Sequence, residues 1–243
     1  MQRLSTIAIV SILLTNTTAL AQELDHQDNT KSSLENTYKQ IHESISKADL
    51  PEEVAALNKA INLNPNNSDL YKIRGQVHYW LKEYNNAIAD YNESIRLNDK
   101  DLETVGARAG AYAKLGESQK AIDDCSILIN ADSKNAAAYM VRGGLYAKLG
   151  QHQQAVDDLS SCINLDPKFA ISYGVRGESY AKLGQLERAL DDYNQAIDLA
   201  SQRPSLEQGE LYYQRADVYQ QLGKLDLMKK DRVKAKELGY MSN

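Results

Sequence analysis

Three aspartate pairs are the residues of this sequence that most resemble catalytic machinery. The pairs at 123–124, 157–158 and 191–192 place two carboxylates side by side, and paired carboxylates can divide the roles of general acid and general base. Neighbouring residues of a helix point in different directions, however, and only residues three or four apart share a face. Because all three pairs lie in helical patterns, we expect one member of each to be structural and the other to be solvated.

Histidine and cysteine offer no better candidates. No histidine has a His or Cys partner three or four residues along the chain, as a metal pair on a helix would require; the four are His26, His42, His78 and His152. His78 is interpreted as a core or seam residue. Cys125 and Cys162 lie at apolar positions of helical patterns and are interpreted as buried thiols. A disulfide between them is the alternative. The sequence therefore predicts no catalytic residue, metal or cofactor.

The composition indicates an ordered, soluble protein that does not bind nucleic acid. Of the 243 residues, 42% are hydrophobic and 25% are charged, which is typical of a folded chain. The formal net charge of −5 argues against nucleic-acid binding, which needs a basic face. The aromatic residues are 15 Tyr, one Trp and one Phe, and tyrosine suits helix seams whose hydroxyls still reach water.

The N-terminus has the pattern of a secretory signal peptide over residues 1–21. A basic start at Met1-Gln2-Arg3 is followed by an apolar stretch and by Ala19-Leu20-Ala21, a small-x-small cleavage pattern. An uncleaved anchor is the alternative, although the apolar run is short for a membrane span. Residues 22–33 are polar and are predicted to be a flexible lead-in. We expect a protein exported to a bacterial periplasm without a membrane insertion, with secretion as a further alternative.

The rest of the chain repeats one helical pattern every 34 residues. In residues 136–169, Tyr139, Arg142 and Tyr146 share one face of a first helix, and Leu149-Gly150 ends it. A second helix follows and stops at Asp166-Pro167. Two such short helices cannot bury both apolar faces alone, so each unit needs neighbours. The predicted units are 34–67, 68–101, 102–135, 136–169, 170–203 and 209–242.

The aligned columns are specific enough to resemble a known family. Small residues recur in the first helix (Gly75, Ala109, Gly143, Gly177, Ala216), followed by tyrosine, and alanine and isoleucine recur in the second. The pattern resembles the tetratricopeptide repeat, which has the same period. The resemblance implies an all-α, right-handed α-solenoid of six helix-turn-helix repeats. The first repeat is degenerate, and the last helix is predicted to be a polar cap because Lys229 and Lys236 replace aliphatic residues.

Two charged columns depart from the family pattern. The arginines are Arg74, Arg108, Arg142, Arg176 and Arg215, and the aspartates are Asp90, Asp124, Asp158, Asp192 and Asp231. The first unit lacks both, having Gln40 and Ala56. Because the two columns are gained and lost together, we predict partly buried Arg–Asp pairs that link two helices of a unit or of neighbouring units. The alternative is that the arginines bind an anionic ligand.

The resemblance also implies a concave groove lined by the first helices. Carried onto this chain, the groove residues are Lys72, Gln76, Tyr79, Trp80, Lys114, Met140, Gly144, Ala147, Lys148, Glu178, Lys182, Tyr213 and Asp217. Glycine and alanine in the middle units, Gly174 among them, would form a floor that another backbone or helix can approach. The three lysines beside this floor would suit acidic groups on a partner. Alternatively, they form a solvated helix edge. A carboxylate clamp is not expected, because only Lys72 matches its pattern.

Taken together, these features predict a non-enzymatic scaffold that binds a protein or peptide partner in the groove. The alternative is a structural repeat module that self-associates as a dimer or other homo-oligomer. An enzyme would need a ligand-sized pocket with convergent polar groups, which the sequence does not show.

Overall fold

The computed structural model describes residues 50–201 and 206–240, which form eleven α-helices and no strand. The predicted signal peptide, the lead-in and the first helix of the unit at 34–67 lie outside the described residues. None of the helices within the described ranges combines the length and apolarity needed to cross a membrane.

The described residues divide into two compact units on either side of the boundary between Leu115 and Gly116. The helices of the first unit are α1 (Leu50–Leu63), α2 (Ser68–Trp80), α3 (Tyr84–Leu97) and α4 (Leu102–Leu115). The helices of the second unit are α5 (Ser118–Ala131), α6 (Ala136–Lys148), α7 (His152–Leu165), α8 (Ala170–Lys182), α9 (Leu186–Ala200), α10 (Leu206–Gln221) and α11 (Leu225–Glu237).

Within each unit the helices pack as successive hairpins. The hairpins are α2 with α3, α6 with α7, α8 with α9, and α10 with α11, and the second helix of one packs on the first helix of the next. First helices of consecutive hairpins also touch, as α6 and α8 do. The all-helical fold of helix-turn-helix repeats predicted from the sequence is confirmed.

Short polar side chains begin several first helices. Asn67 Oδ1 accepts from the backbone N–H of Asp69 at 3.0 Å, and Asn135 Oδ1 accepts from that of Ala138 at 3.0 Å. Asp101 accepts from both the backbone N–H and the hydroxyl of Thr104, at 3.2 and 2.8 Å. Each bond satisfies a backbone donor that the first turn of a helix leaves without an intrahelical acceptor.

The tight turn inside each hairpin needs a left-handed residue. Gly150 and Gly184 adopt φ of 74° there, but Lys82 fills the turn between α2 and α3 with φ of 63°. A side chain makes this conformation costly, because its Cβ crowds the following carbonyl.

Replacing Lys82 with glycine is therefore expected to raise the free energy of unfolding by about 1 kcal/mol. Urea titration followed by circular dichroism measures the change. The matched control is Gly150→Ala, which should shift the midpoint in the opposite direction because φ there is also positive. An unchanged midpoint for Lys82→Gly would contradict the strain assigned to this turn.

A buried carboxyl makes the first unit sensitive to pH. Glu53 in α1 is only 2% exposed, and burial raises the pKa of Glu53 from its usual 4.5 to about 7. Between these two values the folded chain holds a proton that the unfolded chain has lost. Unfolding therefore becomes easier as the pH rises, because the unfolded state binds fewer protons.

We expect the urea midpoint of the first unit to fall as the pH rises from about 4.5 to about 7 and then to level off, as the linkage relation requires. Glu53→Gln should remove this part of the slope. Glu52→Gln, at the exposed neighbouring position, should retain it. Equal slopes for Glu53→Gln and the unaltered protein would show that Glu53 does not titrate with folding.

The last helix is not uniformly polar. Lys229 and Lys236 are exposed as expected for a cap, but Leu225 and Val233 on the same helix are also exposed, at 52% and 59%. Lys229 and Lys236 take the positions that Leu190 and Ile197, both buried, hold in α9. The polar substitutions of the predicted cap fall at these two positions, and Leu225 and Val233 are exposed apolar residues elsewhere on α11.

Candidate functional site

The arginine and aspartate columns meet as predicted. In each of four hairpins the arginine of the first helix donates two hydrogen bonds to the aspartate sixteen residues later. In the pair of Arg142 and Asp158, Nε and Nη2 lie 2.7 and 2.8 Å from the two carboxylate oxygens. The other pairs are Arg74 with Asp90, Arg176 with Asp192 and Arg215 with Asp231. The geometry is the two-pronged contact that guanidinium and carboxylate groups favour.

Each of these arginines also reaches back to the preceding second helix. Arg142 Nη1 donates to Ser126 Oγ at 2.9 Å, and the Ser126 hydroxyl in turn donates to the Ile122 carbonyl at 2.7 Å. The corresponding acceptors for Arg74, Arg108, Arg176 and Arg215 are Asn58, Asn92, Ser160 and Asn194. Sequence analysis missed this third column, although Asn or Ser recurs two residues after every aspartate of the column except Asp231, which is followed by Val233.

One or two tyrosines of the same helix lie beside each guanidinium. The Arg142 guanidinium carbon lies 5.8 Å from the Tyr139 ring centre and 6.0 Å from that of Tyr146, within cation–π range. Hydrogen bonding to Asp158 raises the pKa of Arg142 above its already high ordinary value. Because all three nitrogens of the guanidinium donate within the protein, these arginines hold the repeats together. The alternative that they bind an anionic ligand is not supported.

In the first unit, the predicted groove residues are partly engaged with other side chains. Lys72 Nζ lies 3.0 Å from Asp101 and 3.2 Å from Glu103. Burial lowers the pKa of Lys72, but the hydrogen bonds and charges of Asp101 and Glu103 outweigh it, so the pKa is raised above its ordinary value. Tyr79 packs edge-on against Tyr84, with ring centres 5.4 Å apart. Of the remaining three, Gln76 is half-buried, and Trp80 and Lys114 are exposed.

In the middle of the second unit, the predicted residues are available. A Cβ at Gly144 would meet no heavy atom within 4 Å, so the surface beside it is open. Lys148 and Lys182 end α6 and α8, are exposed, and form no ion pair with any residue that the structure describes. Glu178 is exposed one turn before Lys182, and Met140 and Ala147 are half-buried. We call Gly144, Ala147, Lys148, Glu178 and Lys182 the lysine face.

The end of the second unit is already occupied by the protein itself. Arg232 of α11 donates to Asp217 at 2.5 Å and stacks over the Tyr213 ring at 3.9 Å. Tyr240 also packs against Tyr213, with the two ring centres 5.2 Å apart. Gly174 is also not part of an open floor as predicted, because a Cβ there would lie 2.9 Å from Leu211 Cδ2 of α10.

The remaining candidates for chemistry have structural roles. His78 is half-buried, with Nδ1 2.6 Å from Glu83 and Nε2 3.8 Å from Asp90. Cys125 and Cys162 are free and buried, so the disulfide alternative is wrong, and burial raises the pKa of the Cys125 thiol to about 11. In the pair 157–158, Asp158 is buried against Arg142 and Asp157 is exposed, as expected.

Comparison with known families identifies the repeats. The family model described as tetratricopeptide repeat matches residues 136–169, 170–203 and 209–238. The chain contains tetratricopeptide repeats. These three matches lie in the unit that carries the lysine face. No curated protein sequence matches the chain.

Solved tetratricopeptide repeat structures share this fold at low sequence identity. One from Parabacteroides merdae is 23% identical, with a TM-score of 0.73 over 87% of this chain and 82% of that one. MamA is 22% identical, with a TM-score of 0.65 over 70% of this chain and 93% of its own. YrrB, described as having an unusual peptide-binding site, is 20% identical, with a TM-score of 0.60 over 67% and 84% of the two chains.

Tetratricopeptide repeats place the chain in a class of protein–protein interaction scaffolds that are generally non-enzymatic. Stacked helical repeats of this kind present extended surfaces on which partners bind. Which surface and which partner this chain uses depends on the side chains and not on the fold.

Proposed function

We propose that this protein is a scaffold that binds a protein or peptide segment on its first helices, with the lysine face of the second unit as the centre of the site. The observation that carries the proposal is the contrast among the predicted groove residues. Lys72, Tyr213 and Asp217 are engaged by neighbouring side chains. Lys148 and Lys182 form no ion pair among the described residues and flank open surface at Gly144.

The chemistry of this surface suits recognition of a polypeptide. The small residues Gly144 and Ala147 allow a partner backbone to approach closely. The peptide-binding site named for YrrB shows that a protein of similar fold can hold a peptide. Peptide segments docked on helical grooves are held by such a combination of close approach and a few fixed charges.

Site-specific photo-crosslinking in cells tests this proposal. A photo-reactive amino acid at Ala147 is expected to capture a partner, whereas one at Gln154, exposed on the second helix α7, is not. The capture from Ala147 should be lost when Lys148 and Lys182 are both changed to glutamate. Crosslinks that come only from Gln154, or that survive the charge reversal, would rule out the lysine face.

We also propose that the scaffold acts after export, since residues 1–21 have the pattern of a signal peptide. Cell fractionation and N-terminal sequencing of the purified protein test this. A mature chain that begins at Gln22 supports export, and a cytoplasmic chain that retains Met1 contradicts it.

A further inference from the structure

Lysines without an ion pair are common among the described residues, Lys134 and Lys168 included; Lys148 and Lys182 differ because they end first helices that contact each other and lie beside open surface at Gly144. Lys72, Lys120 and Lys234 lie within 3.2 Å of carboxylates of the same chain. Lys148 and Lys182 have no such carboxylate among the described residues. Two ammonium groups on one surface without counter-charges favour an occupant that supplies carboxylates.

The spacing of these two lysines restricts the shape of the occupant. They are the last residues of α6 and α8, one repeat apart, and packed helices lie roughly 8–10 Å apart. In a partner α-helix, residues seven apart lie on one face and about 10.5 Å apart along the axis. Residues five apart lie at about 7.5 Å and point in different directions.

Glu178 restricts where the partner can carry acidic residues. It belongs to the lysine face, one turn before Lys182 on α8, and its carboxylate would repel an acidic residue placed beside it. The acidic residues of the partner must therefore form a single row on the lysine side, with neutral or basic residues towards Glu178.

We propose that the occupant of the lysine face is an acidic α-helix that crosses α6 and α8, with one carboxylate opposite Lys148 and another, seven residues away, opposite Lys182. This inference rests on the proposed function, because it names the chemistry of the partner at the same site. The helix lies over Gly144 and Ala147, whose own side chains are no larger than a methyl group and where a Cβ on Gly144 would meet no heavy atom within 4 Å.

Helical peptides of fixed composition test the spacing. We use two fluorescein-labelled, alanine-rich peptides at low salt, one with two glutamates seven residues apart and one with the same glutamates five apart, which splits them between faces. Fluorescence anisotropy with the mature chain should show up to about fivefold tighter binding of the first peptide, since the second peptide loses one surface charge pair, which contributes up to about 1 kcal/mol. Equal affinities, or no binding of the first peptide, would overturn the proposal.

Matched variants test the location. Lys148→Glu with Lys182→Glu should weaken binding of the first peptide at least roughly tenfold, and a peptide with lysines in place of its glutamates should bind this variant instead. The control is Lys134→Glu with Lys168→Glu, which reverses two other exposed lysines that are also one repeat apart. It should leave the affinity unchanged. Glu178→Gln should strengthen binding about twofold.

These outcomes separate the inference from the function on which it rests. If the control variant loses as much affinity as Lys148→Glu with Lys182→Glu, the attraction is only general charge and the inference is wrong. If the peptides fail to discriminate while crosslinking from Ala147 still captures a partner, the site stands and its occupant is not an acidic helix. Loss of both would remove the site.

Discussion

Replacing Asp158 with alanine is expected to lower the free energy of unfolding by about 3 kcal/mol, because it leaves a largely buried guanidinium without its counter-charge. The Arg142 side chain is only 18% exposed, and Asp158 accepts two of its three hydrogen bonds. Ser126 holds the third nitrogen from the preceding helix and carries no charge. Urea titration of the mature chain measures the loss.

The neighbouring aspartate is the matched control for this prediction. Asp157 is exposed and accepts one bond from Gln153, at 3.0 Å, so Asp157→Ala should change the stability by no more than about 0.5 kcal/mol. Equal losses for the two variants would show that the charge pair does not hold the hairpin.

Removing both charges of the Arg142–Asp158 pair together should change the free energy of unfolding only slightly. Arg142→Leu combined with Asp158→Ala removes both charges together, and replacing a buried ion pair by apolar groups is often close to neutral. We therefore expect the double variant to recover most of the roughly 3 kcal/mol that Asp158→Ala loses, since no unpaired charge remains. A double variant less stable than Asp158→Ala would show that the hydrogen bond to Ser126 matters more than the ion pair.

The arginine–aspartate pairs could be predicted because their two columns appear and disappear together. The Asn/Ser column could not be predicted, because two residue types share one role. Its presence also depends on the arginine of the next unit and not on the charges of its own unit. Asn58 lies in a unit that has neither charge, yet it accepts from Arg74 of the next unit. Val233 takes the same position in the last helix, where the described residues contain no following arginine, and it is 59% exposed. Each acceptor serves the arginine of the next repeat.

The candidate site was predictable only as a set of columns. The register assigns Lys72, Lys148 and Lys182 to groove columns, but it cannot show that Asp101 and Glu103 neutralise Lys72. Neither acid recurs in the next two units, which have Asn135 and Phe169 at the first position and Ala137 and Ile171 at the second. Tyr213 and Asp217 are unavailable for a similar reason. Arg232 takes the position that Tyr193 holds in the preceding repeat, and it contacts both residues. Individual departures from the repeat decide which groove residues remain available.

Two adjacent glycines of α6 offer the sharpest test of which columns face inward. A Cβ on Gly143 would lie 2.8 Å from Leu159 Cγ and 3.2 Å from Asp158 Cβ, whereas a Cβ on Gly144 would meet nothing within 4 Å. The same close approach occurs where Gly75 faces Tyr91, at 2.6 Å. In each case the missing side chain of the first helix makes room for a large one on the second.

Gly143→Ala is therefore expected to lower the free energy of unfolding by about 2 kcal/mol, because the hairpin must open to admit the methyl group. Gly144→Ala should raise it by about 0.5–1 kcal/mol, since alanine restricts the unfolded chain and favours the helix. Adding Leu159→Ala to Gly143→Ala tests the cause: the added methyl group should then cost less than it does beside leucine. If the two alanine variants change stability in the same direction, the assignment of Gly143 to the core and Gly144 to the lysine face is wrong.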